Sequence, residues 1–171
     1  SPDNSTVIYG NIMNNTGMKL EDFSRHLPYP CHLEHDSKSA AFLELWNHPE
    51  LDSAVVFLLN RNLGGAIITN HQIHQGSSMH SGTLEHMCIN PDGPLCYCGN
   101  RGCLETYVSA TGIKRTVFEL MATMTEPSEL RDIPFANFDA AMVSTAASHG
   151  DPIALEAFRI TGELLGYALA D

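Results

Sequence analysis

His86, Cys96, Cys98 and Cys103 place one imidazole and three thiols within eighteen residues. Thiolate and imidazole are the ligands that tetrahedral zinc takes in structural sites, and four of them fill its coordination sphere. Gly93, Pro94, Gly99 and Gly102 punctuate the same segment and let the backbone turn sharply enough to converge the four side chains. The spacing therefore predicts a Cys3His zinc site of structural type. Cys88 competes for a place, because on a strand it would share a face with His86 two residues earlier. His86 is taken as the ligand and Cys88 as packing, with the reverse assignment kept open. Disulfides fit the pattern poorly: five cysteines is an odd number, Cys96 and Cys98 are too close for an ordinary bridge, and no secretory signal precedes them. A reducing, cytoplasmic setting is expected.

These ligands need elements to carry them. Thr6 to Tyr9 and residues 30–34 read as strands, separated by a short helical pattern from Leu20 to Leu27. Ser37 to Trp46 reads as a helix with Ala40, Ala41, Phe42, Leu43 and Leu45 supplying its apolar face. Ala54 to Leu59 is a continuous apolar run, as expected of a central strand covered on both faces. The turn at Asn60, Arg61 and Asn62 leads through Gly64 and Gly65 into a second apolar run, Ala66 to Thr69. A further strand is expected to carry Leu84, His86 and Cys88 into the metal loop. After the loop the spacing becomes helical, over Glu105 to Ala110 and Ile113 to Met124. Asp151-Pro152 then supplies an N-cap and a first-turn proline for a long amphipathic helix through Tyr167. Strands with helices between and after them predict the α/β class. His71, His74 and His80 read as surface residues, and Trp46 and Met87 as packing.

The 171 residues, 43 % of them hydrophobic, are enough for one domain with a proper core. A net charge of -11 would repel a phosphate backbone, so direct nucleic-acid contact is not expected from this chain. No apolar run approaches the ~20 residues of a membrane span. The chain starts at Ser1-Pro2 and stops at Asp171 inside an apolar periodic stretch, and it reads as a piece of a longer protein, residues 1–171 forming one domain of it.

Gly82-Thr83-Leu84-Glu85-His86, then Asn90-Pro91-Asp92-Gly93, then Cys96-Tyr97-Cys98-Gly99-Asn100-Arg101-Gly102-Cys103-Leu104-Glu105, resembles the signature of the ROK family of repressors, open reading frames and sugar kinases. Upstream, Leu33 to Ala41 resembles the family's Asn-Asp segment opening a helix, and Leu63 to Ile68 its glycine-rich hairpin. The resemblance implies an actin-like (ribonuclease H-like) ATPase fold, of which this chain would be the larger, zinc-containing lobe. It also implies roles. Asp36 matches the catalytic base of the kinases, a role it would have only in a kinase. Asp36 with His35, Thr83, His86 and Glu105 would face a sugar or sugar phosphate, while Gly64 and Gly65 would form the phosphate hairpin, with ATP and Mg bound only if the parent is a kinase. Homo-oligomers are expected on the same ground.

The chain departs from the kinase pattern at several of these positions. Asn60-Arg61-Asn62 stands where kinases have Gly-Thr-Gly or Gly-Ser-Gly, Thr83 replaces a sugar-binding glutamate, and His35 replaces the asparagine before the aspartate. Lys38 stands where an asparagine is usual. The His35-Asp36 pair is closer to the family's NagC/XylR-type regulators, its glucose and N-acetylglucosamine repressors. The resulting expectation is the sugar-sensing effector domain of a transcriptional regulator of carbohydrate metabolism, whose DNA-binding domain would lie upstream. The alternative is the sugar-binding lobe of an ATP-dependent hexose or N-acylhexosamine kinase.

Overall fold

A computed structural model describes residues 5–8, 14–77 and 81–170. They fall into two compact units, Ser1–Leu58 with Gly65–Thr83, and Leu59–Gly64 with Leu84–Asp171.

The first unit holds helices α1 (Leu20–Ser24) and α2 (Asp36–Asn47) and most of a sheet of strands β1 (Ala54–Leu59), β2 (Leu63–Thr69) and β3 (Gln72–Ile73), in the order β1-β2-β3. The Gly64-Gly65-Ala66 stretch of β2 is buried and presents almost no side-chain bulk. Ala41 of α2 consequently packs directly on Ala66 and Ile68, and Leu45, Leu51, Ala54, Val56 and Ile73 close the cluster. A two-residue turn joins β2 to β3. Both of its central residues, Asn70 and His71, have positive φ (52° and 59°), the twist that a tight antiparallel hairpin requires, and the register pairs Ile68 with Ile73 and Thr69 with Gln72. His71 is held there by its amide on the Asp52 carbonyl (3.0 Å) and its Nδ1 near the Leu51 carbonyl (3.1 Å).

Several expectations need correction in this unit. β1 is not central: β2 lies between β1 and β3, and Val55 and Leu59 are exposed. The helix at Ser37 to Trp46 forms, but its apolar residues do not all turn inward. Trp46 is 76 % exposed and lies 6.4 Å from the ring of Phe42, itself exposed. Residues 30–34 form no strand. Thr6 makes only an isolated bridge to Lys19, and Tyr9 lies outside the described residues.

The second unit is helical: α3 (Glu105–Val108), α4 (Ala110–Thr123), α5 (Ala140–Ser148) and α6 (Pro152–Ala170). Val117 of α4, Val143 and Ala146 of α5, and Ile153, Ala154 and Ala157 of α6 meet Leu130 and Phe138 from the intervening loop. Each fully buried Val, Leu or Ile in such a cluster contributes about 1.5–3 kcal/mol. The helix ends are closed by side chains. Ser109 accepts the Gly112 amide (3.2 Å) and Asp139 the Met142 amide (2.9 Å). Arg131 donates to the carbonyls of Met121 (2.8 Å), Met124 (2.6 Å) and Glu126 (3.2 Å), which satisfies the open end of α4. The Asp151-Pro152 start signal opens α6 as the sequence predicts, and the α/β class agrees with the structure. No helix among the described residues is long and apolar enough to cross a membrane.

Candidate functional site

The metal-ligand residues converge within the second unit. His86, Cys96, Cys98 and Cys103 offer one ligand atom each, all within 4.8 Å of one another, and could hold a metal ion. Sγ of Cys98 is 3.6 Å from Sγ of Cys103, and Sγ of Cys96 is 3.7 Å from Nδ1 of His86. Backbone hydrogen bonds fold the loop around the group: Cys96 N to Asn100 O (2.8 Å), Gly102 N to Pro94 O (2.8 Å), Ile89 N to Gly102 O (2.9 Å) and Leu104 N to Met87 O (2.8 Å). Gly102 is indispensable to that path. Its φ is +64°, and a Cβ there would lie 1.5 Å from the Asn90 carbonyl oxygen.

The segment leading in is a 3-10 turn at Leu84–His86, where the alternation of Leu84, His86 and Cys88 suggested a strand. The two-residue alternation therefore does not apply, and Cys88 leaves the cluster. Its thiol donates to the Arg101 carbonyl (3.4 Å), while its backbone bridges to Cys103. The ring of Tyr97 stands edge-on to His86, with centroids 5.1 Å apart. His71 and His74 are exposed and join no cluster of three or more metal-ligating groups among the described residues, and His80 lies outside them.

Two of the three thiols, Cys96 and Cys103, are reluctant to ionise without a cation. Burial and the neighbouring sulfurs push Cys103 up to about 12, and burial likewise raises Cys96. Cys98, exposed, is lowered: its own desolvation is outweighed by the Asn100 amide and the adjacent thiols. A divalent ion bound here would replace protons on the sulfurs, as metal binding to thiols requires.

Two residues beyond Cys103, Glu105 opens α3 and is buried. Its carboxylate accepts the backbone amide of Leu63, at the start of β2. Burial raises its pKa, and the Leu63 amide and Ser109 hydroxyl oppose that rise. The metal loop is thus tied through Glu105 to the end of the Asn60-Arg61-Asn62 turn, where the Asn60 amide bonds the Asn62 carbonyl (2.9 Å) and Asn60 Oδ1 accepts the Arg61 amide (2.8 Å).

Of the other ligand-site residues named from the sequence, His35, Asp36, Gly65 and Thr83 belong to the first unit and Gly64 to the second. Asp36 is the first residue of α2, its side chain 77 % exposed, and its Oδ1 accepts the Ser37 amide (2.8 Å) and lies 3.1 Å from His35 Nδ1. Ser37 is fully buried and donates its hydroxyl to the Gly65 carbonyl (2.8 Å). Gly65 and Gly64 are buried, and Thr83 is exposed. Sequence reasoning missed Ser37 and Lys38. Lys38 is only 4 % exposed and donates to Gln75 (2.9 Å), a partner 37 residues away that no local pattern announces.

The profile of the ROK family matches residues 3–171. The chain belongs to the ROK family. It is 27 % identical over 153 residues to the DNA-binding transcriptional dual regulator NagC of Escherichia coli K12, a match covering 88 % of this chain and 37 % of that protein. It is 35 % identical over 99 residues to an N-acetylmannosamine kinase of Vibrio cholerae, covering 57 % of this chain and 33 % of the kinase. Its fold matches a ROK family glucokinase of Streptomyces griseus, solved in complex with glucose and AMPPNP, with a TM-score of 0.86 at 28 % identity, over 99 % of this chain and 56 % of that one. The chain spans about a third of the length of the curated relatives it matches.

Proposed function

We propose that this chain is the sugar-sensing part of a ROK-type transcriptional regulator of carbohydrate metabolism, with a structural zinc ion holding its ligand-facing loop. The observation that carries the regulator reading is the extent of the likeness to NagC, 153 residues against 99 for the N-acetylmannosamine kinase. Two local features agree with it. The His35-Asp36 pair replaces the kinase Asn-Asp, and Arg61 stands where kinases carry small residues that let backbone approach nucleotide phosphates.

Zinc is the metal this donor set favours. In a tetrahedron with Zn–S of about 2.3 Å, neighbouring sulfurs lie about 3.8 Å apart. The 3.6 Å between Cys98 and Cys103 Sγ is close to such an edge, and the 3.7 Å between Cys96 Sγ and His86 Nδ1 is close to the S–N edge of about 3.6 Å that Zn–N of about 2.0–2.1 Å gives. Four protein ligands leave no open position, so the ion serves as a scaffold that orders the loop. Of the residues that the family resemblance assigns to the sugar, His86 and Glu105 lie in the second unit, on or just after that loop, and His35, Asp36 and Thr83 in the first. The ligand is a sugar or sugar phosphate, and its binding shifts the balance between conformers of the full-length protein, a homo-oligomer of the cytoplasm. With a net charge of -11 on this chain, DNA contact falls to another segment.

The kinase reading keeps specific support in the 35 % identity to the N-acetylmannosamine kinase and the glucokinase fold match. In that case Asp36 would take the proton of the attacking sugar hydroxyl, and Gly64 and Gly65 would cradle ATP phosphates with Mg. DNA binding by the full-length protein separates the two. Retention of its own upstream DNA should change when glucose, N-acetylglucosamine or their 6-phosphates are added. Indifference to every one of them, or failure to bind DNA at all, would contradict the regulator reading.

A further inference from the structure

We infer that Cys88 and Cys103 are a site of reversible oxidation, at which a peroxide joins them in a cross-strand disulfide and takes one of the four ligands from the metal group. The disulfide stands on the loop geometry alone, whereas the loss of metal rests on the proposed zinc site.

Two backbone hydrogen bonds set the geometry. The Leu104 amide donates to the Met87 carbonyl (2.8 Å), and the Ile89 amide donates to the Gly102 carbonyl (2.9 Å). Cys88 and Cys103 face each other between these bonds, in an antiparallel bridge whose two residues exchange no backbone hydrogen bond of their own. A pair of this kind brings its Cα atoms to about 4.5 Å, with both side chains on one face. Disulfides span Cα separations of about 4.4–6.8 Å, so the backbone already holds the two cysteines at bonding range. The Cys88 thiol donates to the Arg101 carbonyl at 3.4 Å, and rotation about its Cα–Cβ bond turns the sulfur from that oxygen toward Cys103.

The two sulfurs differ in access. Cys88 is exposed and outside the ligand set, while Cys103 is fully buried within it. Cys88 is therefore the sulfur that meets a peroxide from solvent. Its thiol cleaves the O–O bond of hydrogen peroxide: one oxygen leaves as water, and the other stays on sulfur as a sulfenic acid. The Cys103 sulfur then attacks the Cys88 sulfur. The S–S bond forms, the S–O bond breaks, and the oxygen leaves as a second water with a proton from the Cys103 thiol or from solvent. Two sulfurs are thus oxidised by two electrons, and one peroxide is reduced. A disulfide sulfur is not a thiolate ligand, so only His86, Cys96 and Cys98 remain to hold the metal. Cys98 lies 3.6 Å from Cys103 and is the competing partner, but it shares the ligand set, whereas Cys88 has no metal to shield it.

The test exposes the full-length, reduced, zinc-loaded protein to hydrogen peroxide, following zinc with a chromogenic chelator and cysteine pairing by mass spectrometry of unreduced peptides. Cleavage after Arg101 by trypsin and before Asp92 by an Asp-N protease puts Cys88, Cys96 with Cys98, and Cys103 on three separate peptides. The expected result is a linked Cys88–Cys103 peptide that accumulates together with the loss of one equivalent of zinc, and that disappears when dithiothreitol and zinc are added. Cys88→Ser should keep its zinc at a peroxide dose that empties the wild type. Linkage of Cys103 to Cys96 or Cys98 in place of Cys88 overturns the inference. A Cys88 that stops at sulfenic or sulfinic acid while zinc stays bound overturns it too. A reduced protein without zinc that still forms the Cys88–Cys103 link upholds the disulfide and contradicts the zinc site; absence of the link in such a protein defeats both. The wild-type mapping decides these outcomes without requiring the Cys88 variant to fold.

Discussion

The carboxylate of Glu105 accepts the amide of Leu63, joining the residue that follows the metal loop to the first residue of β2, 42 positions earlier. Both partners are buried, so neither has water as a substitute. Truncation and isosteric replacement of Glu105 should therefore differ. Glu105→Ala orphans a buried amide and is expected to lose about 1–3 kcal/mol of stability, with faster hydrogen exchange at Leu63. Glu105→Gln keeps an acceptor and removes a charge that burial disfavours, so it should stay within about 1 kcal/mol of the wild type. Equal losses in the two variants, by denaturant melts, would show that charge and not the hydrogen bond matters.

The metal loop should respond to its ligands as a unit. Cys98→Ser is expected to lose one equivalent of zinc, measured by elemental analysis, and to lower the melting temperature. Retention of a full equivalent with an unchanged melting temperature would remove Cys98 from the ligand set. Cys88→Ser should retain the metal, since its thiol is engaged with the Arg101 carbonyl.

Glycines 99 and 102 offer a sharper contrast. Both have positive φ, +92° and +64°, so alanine at either carries left-handed strain of about 1–2 kcal/mol. A Cβ at Gly99 meets nothing within 4 Å, but one at Gly102 runs into the Asn90 carbonyl. Gly102→Ala should displace the loop and lose zinc, whereas Gly99→Ala should be destabilised by the strain alone and keep it.

Much of this was legible in the sequence, for reasons that differ by residue. The ligands of the metal group announce themselves because their chemistry is in the side chain, and spacing with glycines suffices to bring them together. The start of α6 was legible because Asp151 and Pro152 are local signals. The 3-10 turn at Leu84–His86 was not, since three alternating residues fit a strand equally well until backbone hydrogen bonds decide. Nor was the burial of Lys38, which depends on Gln75 across the fold, or the exposure of Trp46, whose apolar neighbours pointed to a covered face.

Asp151 gives the pH dependence. Burial pushes its carboxyl up, but the amides of Ala154, Glu129 and Ile153 and the Ser128 hydroxyl outweigh this and hold it below the usual range. A depressed native pKa stabilises the folded state at pH above the unfolded value, about 3.9, and that contribution disappears as pH falls through the native value. Asp151→Ala should lose about 1–2 kcal/mol at pH 7, the size of a lost cap. The gap between variant and wild type should narrow below about pH 4. A gap that stays constant from pH 7 to pH 3 would mean that the ionised carboxylate contributes nothing.

The most direct test of the sensing role is sugar-dependent ATP turnover by the full-length, zinc-loaded protein, with Asp36→Asn as control. Asp36 is exposed, and asparagine keeps an oxygen for the Ser37 amide, so the variant should fold with stability within about 0.5 kcal/mol of the wild type. The expected result is no turnover above the Asp36→Asn background with any hexose or N-acyl hexosamine, while at least one of them raises the melting temperature. Turnover that disappears in Asp36→Asn would contradict the account and make the protein a sugar kinase.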